Sequence, residues 1–334
     1  GMRAARLHTY GPPSHLVVEE VPDPILERPT DVRLRVTAAA INPIDWKIRA
    51  GKQRGAIRLR LPWVLGLDVA GEVLEVGASV TDLAVGDRVY GCPDWRRPGS
   101  YAEQVVMDAS LLAPAPTTVS DVEAAALPLA GLTAWQCLLP RLADKPDQRV
   151  FIQAGSGGVG HLAIQLAKHH GAWVATTASP RNHDYLRALG ADRCVDYRTE
   201  RWWEVLDDLD VILDALGYDE RERALAAVRR GGRVASIVSG LPGHTERYGP
   251  NLGVLATGLG IAGFAVRGCL RGVDAATVVK RTHKEQLVEM AALVDQGVLR
   301  PTIDTTYPLE GLPEAHAQGE AGHIRGKVVI DLSA

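Results

Sequence analysis

The sequence predicts an α/β protein in two parts: a mostly β first region, then a doubly wound parallel sheet. Three observations carry that expectation. The first third alternates short strand-like runs with Pro and Gly turns. The middle third alternates single apolar strands with amphipathic helices, the rhythm of βαβ units. A glycine-rich loop joins the first strand and helix of that second rhythm. The 334 residues agree with two domains, at roughly 150 residues for each.

Composition narrows the class further. Apolar residues make up 46% and charged residues 23% of the chain, enough apolar material for a full core. The 37 basic and 40 acidic side chains nearly cancel to a net charge of −3, which gives no reason to expect nucleic acid as a partner. Cys92, Cys137, Cys194 and Cys269 form no CxxC pair, so neither a zinc knuckle nor a disulfide framework is expected. A reducing compartment suits them. Gly1 precedes Met2 and reads as an added residue, and Met2 to Glu20 lacks the continuous apolar core of a secretory signal. The longest apolar run, Leu252 to Val266, has 15 residues and four glycines. That is shorter than the roughly 18 to 20 residues of a membrane span. It is read as buried structure, and the protein as cytoplasmic, with no membrane partner.

Element by element, strands are expected at Met2–Leu7, Leu16–Glu20, Val32–Ala38, Asp68–Val76, Arg88–Tyr90 and Tyr101–Val106. Pro12-Pro13, Pro22-Asp23-Pro24, Gly86-Asp87 and Pro98-Gly99 punctuate them. Val150–Ala154 then reads as a buried strand. The apolar stripe Val159, Leu162, Ala163, Leu166 and Ala167 reads as a helix stopped by Gly171. Strands at Trp173–Ala178, Arg193–Asp196, Val211–Leu216 and Arg233–Val238 come next, with helices near Asn182–Leu189 and Glu220–Arg230. A helix over Lys284–Gln296 and extended pieces at Thr302–Tyr307 and Lys327–Leu332 fit poorly as further βαβ units, but fit as a return to the first region.

The strongest local signal is Ala154-Gly155-Ser156-Gly157-Gly158-Val159-Gly160, a G-x-G-x-x-G at Gly155, Gly157 and Gly160 between strand and helix. In such a loop the first glycine makes the tight turn and the second lets a pyrophosphate approach the backbone. The third lets the helix pack closely on the sheet, while the helix N-terminus offers N–H groups to the phosphate. A dinucleotide is therefore expected. An NAD site would place Asp or Glu about 20 residues further on, against the ribose 2′-OH. Here Thr176 to Asn182 offers no acid, only hydroxyls, including Ser179, and Arg181. Those groups suit a 2′-phosphate, so NADP(H) is the expected cofactor.

At this point the sequence resembles the medium-chain dehydrogenase/reductase superfamily, and most of all its zinc-free quinone oxidoreductase branch. The resemblance runs nearly end to end. It is carried by Asn42-Pro43-Ile44-Asp45-Trp46-Lys47 up to Gly51, by Gly66-Leu67-Asp68 through Gly71 and Gly77 to Gly86-Asp87, and by Leu127 to Ala134. The AGSGGVG loop, Leu189 to Asp192 with Asp196-Tyr197, and Gly322 to Val329 complete it. It implies a GroES-like catalytic domain over 1–122, a Rossmann cofactor domain over 123–265 and a C-terminal return over 266–334, with the active site in the cleft between domains. In zinc-dependent relatives a Cys and a His-Glu pair hold the metal. The corresponding positions here carry Asn42-Pro43 and Leu67-Asp68, so no metal is expected.

The resemblance further implies an NADPH-dependent reductase that gives hydride to a quinone or an α,β-unsaturated carbonyl. Such acceptors spread the developing negative charge without a Lewis acid. By the same matching, Asn42 donates to the carbonyl or contacts the cofactor, Lys47 stabilises an enolate and Asp45 orients either one. The alternative is that Asp45 and Lys47 simply pair and pin their segment. Trp46, Trp63, Trp95 and Tyr101 are candidate walls for a flat substrate. Thr133, Tyr197, Phe264 and Val266 match cofactor-touching positions, and Lys327 either reaches the cofactor or ties the domains together. A homodimer is expected, with the 252–266 run able to supply an interface strand. Two other readings stay open: a 2-enoyl thioester reductase, and a non-catalytic NADPH-binding sensor or RNA-binding protein.

Overall fold

A computed structural model describes residues 1–333. The chain divides into two compact units, Gly1–Leu132 with Thr282–Ala334, and Thr133–Arg281.

The first unit is built on β1 (Met2–Leu7), β2 (Leu16–Val21), β3 (Asp31–Ala40), β4 (Trp63–Val64), β5 (Val69–Val76), β6 (Arg88–Gly91), β7 (Gln104–Asp108) and β8 (Leu112–Pro114). After the inserted second unit it gains β15 (Ile303–Tyr307) and β16 (Lys327–Asp331). β1 lies between β2 and β4 in a small antiparallel sheet. The larger sheet runs β15-β16-β3-β5-β6-β8, and β7 also pairs with β3. The alternation of β3 explains its central place. Val32, Leu34 and Val36 enter the core, while Arg33 and Arg35 face outward to Glu75 and Glu72 on β5. Register shifts between Arg33/Leu34 and Val36/Ala38 bend the strand, as bulges do. The helices of this unit are α1 (Pro43–Arg49), directly after β3, α2 (Asp121–Ala125), α9 (Lys284–Asp295) and α10 (Leu312–Ala321).

The second unit holds β9 (Arg149–Ile152), β10 (Trp173–Thr177), β11 (Arg193–Val195), β12 (Leu209–Asp214), β13 (Val228–Ser236) and β14 (Asp274–Thr277). All pairs are parallel, in the order β11-β10-β9-β12-β13-β14. In chain order within the unit this is 3-2-1-4-5-6, the doubly wound dinucleotide-binding arrangement. α3 (Pro128–Leu142) begins at the unit boundary, and α4 (Gly158–His169) and α5 (His183–Leu189) pack on one face. α6 (Trp202–Val205), α7 (Tyr218–Ala227) and α8 (Leu241–Leu270) pack on the other. β9 shows why both faces close: Val150 and Ile152 join the α4 side, and Phe151 joins the α7 side.

The boundaries differ from 123–265 at both ends. Leu129 donates its backbone N–H to Asp68 Oδ1 at 2.8 Å, which holds the start of α3 in the first unit. β14 lies beyond 265 and extends the sheet through β13. The run 252–266 is also corrected. It is helical rather than strand-like and mostly not buried. α8 is 30 residues long and kinked at Gly249, and is long and apolar enough to cross a membrane by length and composition alone. Gly253, Thr257, Phe264 and Gly268 form its buried stripe, while Leu252, Leu255, Leu259 and Val266 are exposed. A helix anchored through so many glycines presents its larger side chains outward.

Candidate functional site

Two places carry chemistry, one in each unit. In the second unit the loop after β9 turns over residues 154–157 into α4. The left-handed turn is made by Ala154, at φ 54°, and not by the first glycine. Gly155 is required for a different reason: a Cβ there would overlap Thr176, with the Thr176 Cβ only 3.1 Å away. A Cβ on Gly160 would lie 2.8 Å from Gly155 Cα and 3.0 Å from the Ala154 carbonyl carbon, so the third glycine lets helix and turn meet. Gly157, the N-cap of α4, is the open one; a Cβ there would meet only Ala154 O, at 3.4 Å. The space over Gly157 and the N–H groups of the first turn of α4 (Gly158, Val159, Gly160) therefore form a cradle that fits a pyrophosphate. Thr177 Oγ1 accepts from Ala154 N at 3.1 Å and fixes the loop on β10.

Beyond β10, Ser179 Oγ lies 3.2 Å from Tyr197 Oη. Arg181 is exposed in the short turn after it. Arg198, which no sequence motif singles out, stacks 5.7 Å from the Tyr197 ring centre. Ser179 and then Arg198 hold the Tyr197 hydroxyl below its ordinary pKa. Two guanidiniums and two hydroxyls suit a phosphorylated ribose. The nearby Asp196 is engaged by the backbone of Arg198.

Thr133 is buried at the head of this unit's part of α3. The structure does not bring Phe264 or Val266 to the cradle. Phe264 is fully buried among Phe151, Trp202 and Leu225, on the sheet face opposite α4, with the Arg221 guanidinium 4.7 Å from its ring. Val266 is exposed on α8. The segment that carries these two cofactor-matched positions is helix here.

In the first unit, a buried polar cluster forms where β3 ends, α1 begins and β16 returns. β16 pairs Val329 with Ala40, and Ile41 donates to Val328 O, which brings Lys327 beside Asn42 across 285 residues of sequence. The Lys327 ammonium donates to Asn42 Oδ1 and lies 3.5 Å from Asp68 Oδ2. Asn42 Nδ2 donates to the same Asp68 oxygen at 2.8 Å. Asp68 also accepts from Leu129 N, and its carbonyl accepts from Ser100 Oγ at 2.7 Å. Asn42, Asp68 and Lys327 are all at most 3% exposed. Lys327 is thus an internal cation of the first unit.

Asp45 sits at the third position of α1, and its Oδ2 accepts from Asn42 N at 2.8 Å. Burial, then the Asp68 charge, raise its pKa to about 7, against the opposing effects of Asn42 N, Tyr101 and Lys327. Its partner is not Lys47, whose own pKa is lowered by burial and then by Lys52. Asp45, Trp63 and Trp95 line a small cavity of about 10 Å³ together with Ile48, Leu59 and Leu67. Trp46 does not join them, because its ring packs where Gly319 of α10 leaves room. Tyr101 is buried beneath, its hydroxyl 3.1 Å from His316 Nε2.

The description "Alcohol dehydrogenase GroES-like domain" matches residues 28–117, and "Zinc-binding dehydrogenase" matches residues 189–330. The mouse mitochondrial NAD(P)H oxidoreductase RTN4IP1 is 33% identical over 331 residues, covering 92% of this chain and 83% of that protein. The chain is a medium-chain dehydrogenase/reductase. Within that superfamily it falls in the quinone oxidoreductase-like branch. The quinone oxidoreductase from Coxiella burnetii superposes with a TM-score of 0.86 at 33% identity over 99% of each chain. The Arabidopsis thaliana chloroplastic NADPH-dependent alkenal/one oxidoreductase is 32% identical over 327 residues, 95% of this chain and 74% of that one. As a medium-chain dehydrogenase/reductase of this branch, the chain is an oxidoreductase with a GroES-like unit and a Rossmann unit.

Proposed function

We propose that the chain is an NADPH-dependent reductase that delivers hydride to quinones or α,β-unsaturated carbonyls without zinc. One observation carries the metal-free reading. Where zinc-dependent relatives have thiolate and imidazole, this chain has an amide and a leucine, and the amide and Asp68 are already engaged by the Lys327 ammonium. A divalent ion would have to displace that cation; beside Asp68 the Cys92 thiol, 3.8 Å from its Oδ1, is a soft donor, but among the described residues no third His, Cys, Asp or Glu joins them. The donor set does not fit zinc, and the reaction is written without it.

NADP(H) fits the second unit. Gly157 and the start of α4 receive the pyrophosphate, and Ser179, Arg181, Tyr197 and Arg198 surround the 2′-phosphate. When bound, the reduced nicotinamide supplies hydride. In the first unit, Leu59, Trp63, Leu67 and Trp95 supply apolar walls, and their cavity of about 10 Å³ has to open to take a flat acceptor. The names of the Coxiella and Arabidopsis relatives support quinones and enones as the acceptor classes.

NADPH absorbance in the presence of quinones, enones, crotonyl-CoA and simple ketones tests this reading, with metal analysis of the same protein. Turnover with quinones or enones at substoichiometric zinc is expected. Turnover that requires one zinc per chain, or that is confined to simple ketones and alcohols, refutes it. The homodimer draws support from the sheet edge at β14 and from exposed Leu252, Leu255 and Leu259 on α8. Light scattering is expected to give twice the chain mass, and Leu255→Glu with Leu259→Glu to give the monomer.

A further inference from the structure

We propose that the Rossmann unit carries a second ligand site, at the other end of its sheet from the nucleotide cradle. Its ligand is a small amphiphilic anion, a carboxylate or phosphate monoester on an apolar body. The site is independent of which acceptor the enzyme reduces.

It starts from a break in a helix. Pro140 lies inside α3 and has no N–H to give, so the carbonyl of Gln136 loses its helical donor. Arg233, at the start of the β13–β14 pairing, repairs the break. Its Nη2 donates to Gln136 O at 3.3 Å, its Nε to Cys137 O at 2.9 Å and its Nη1 to Asp274 Oδ2 at 2.6 Å. With its side chain only 9% exposed, Arg233 is a fixed cation against the last turns of α3.

Two glycine turns open the space beside it. Gly231 N donates to Gly272 O at 2.7 Å, which ties the turn before Arg233 to the turn after α8. Gly272 has φ 69°, and a Cβ there would come within 3.0 Å of Arg230 Cγ, so the glycine also lets Arg230 lie across the turn. With Gly232, Ala265 and Ala275 beside them, these small residues leave a cavity of about 530 Å³. Small-molecule sites fall between roughly 300 and 1,000 Å³. The cavity is separate from the cradle. The cradle follows the carboxyl ends of β9 and β10, whereas Arg233 and Asp274 open the parallel pairing of β13 and β14 at its amino end.

The distribution of charge around the cavity names the ligand. Arg141 and Lys145 line it from the α3 side, and the one acid of the lining, Asp274, is already paired with Arg233. A cation in the last turn of a helix serves the helix dipole in any case. Arg141 holds such a place, yet its Nε turns to Gln148 Oε1 at 3.3 Å. Lys145 stands past the helix, exposed, with no carboxylate in ion-pair reach among the described residues. A guanidinium fork and an ammonium with N–H groups to spare suit an oxyanion. Opposite them, Ala265 and Cys269 from the end of α8 and Val273 and Ala275 from the start of β14 form an apolar wall. A ligand that satisfies both sides has a charged head and an apolar body. The cavity shares the start of β14 with the edge proposed for the homodimer, so binding is measured on the protein as it assembles in solution.

The test uses the full chain. Cys269 in the cavity wall is exposed, while Cys92, Cys137 and Cys194 are buried, so one thiol reports on the site. Its rate of reaction with the neutral reagent 4,4′-dithiodipyridine is followed with 2-naphthoate, 2-naphthyl phosphate, 2-naphthalenemethanol or inorganic phosphate added, and calorimetry gives the Kd of each. Both naphthyl anions are expected to bind with submillimolar Kd and to protect the thiol, the tighter one naming the head group. The neutral alcohol and inorganic phosphate should each bind at least about 10-fold more weakly. Arg141→Gln with Lys145→Gln should raise the Kd of the anions about 10-fold or more at an unchanged melting temperature. Saturating NADPH should leave that Kd unchanged. Failure of both naphthyl anions to bind at millimolar concentration overturns the site. So does equal binding of the alcohol or of inorganic phosphate, wild-type affinity in the double variant, or displacement by NADPH.

Discussion

Alanine at two glycines three residues apart is expected to separate folding from cofactor binding. At Gly160 the added methyl would lie 2.8 Å from Gly155 Cα and 3.0 Å from the Ala154 carbonyl carbon. Both are backbone atoms, so no rotamer change relieves the overlap. Overpacking of this kind costs about 1–3 kcal/mol. At about 2–4 °C for each kcal/mol in a domain of this size, Gly160→Ala should lower the melting temperature by about 2–12 °C. At Gly157 the methyl meets only one atom, at 3.4 Å, in a backbone conformation (φ −77°) open to any residue. Unfolded-state entropy and the weaker N-cap then nearly cancel, within about 1 kcal/mol. The methyl would, however, stand where the pyrophosphate must reach the α4 N–H groups. Losing one charge-assisted hydrogen bond, about 1.5–3 kcal/mol, weakens NADPH by about 10- to 100-fold. Thermal denaturation by circular dichroism and NADPH titration by calorimetry read the two effects separately. Gly157→Ala that binds NADPH like the wild type, or Gly160→Ala that melts like it, would refute the cradle.

Arg181→Ala and Arg198→Ala should each weaken NADPH about 10-fold, or about 1.4 kcal/mol, and leave NADH nearly unchanged; equal losses for both cofactors in calorimetry would remove either residue from the phosphate site. Lys327→Met leaves Asp68 and Asn42 buried without their cation, and should destabilise the first unit by about 3–5 kcal/mol in urea denaturation. Asp31 accepts from both Arg97 Nη groups, at 2.7 and 2.8 Å, and Arg97 is the main cause that holds its pKa below the ordinary value. The stability from this pair is therefore fully present above the unfolded Asp pKa and is lost as pH falls below about 4 through the folded pKa. Urea midpoints from pH 7 to pH 3 should show a drop in the wild type that Arg97→Gln lacks.

Local pattern made most of the elements readable, and long-range pairing accounts for what was not. The apolar stripe from Val159 to Ala167 and the alternation in β3 predicted their elements because each is set by residues a few positions apart. The glycine-rich loop between β9 and α4 was legible for the same reason. α8 was misread because glycine spacing says little about which face a helix buries, and Phe264 went with it. Ala154 was passed over because a left-handed alanine looks ordinary in a sequence. His316 carried no signal at all: its partners Tyr101 and Arg49 are 215 and 267 positions away. Lys327 was noticed, but its contact with Asn42 was not legible, since only the β16–β3 register sets it there.

The contact between Lys327 and Asn42 also sets an order of assembly. At synthesis rates of about 5–20 residues per second, the 285 positions between them take roughly 15–60 s to emerge. Throughout that interval the N-terminal half exposes the edge of β3 that β16 will occupy, while Asn42 and Asp68 wait without their cation. The second unit, a continuous stretch of chain, can fold in the meantime. A nascent chain stalled before residue 327 should therefore present a folded nucleotide-binding unit joined to a sticky, unclosed sheet, the form on which chaperones and proteases would act.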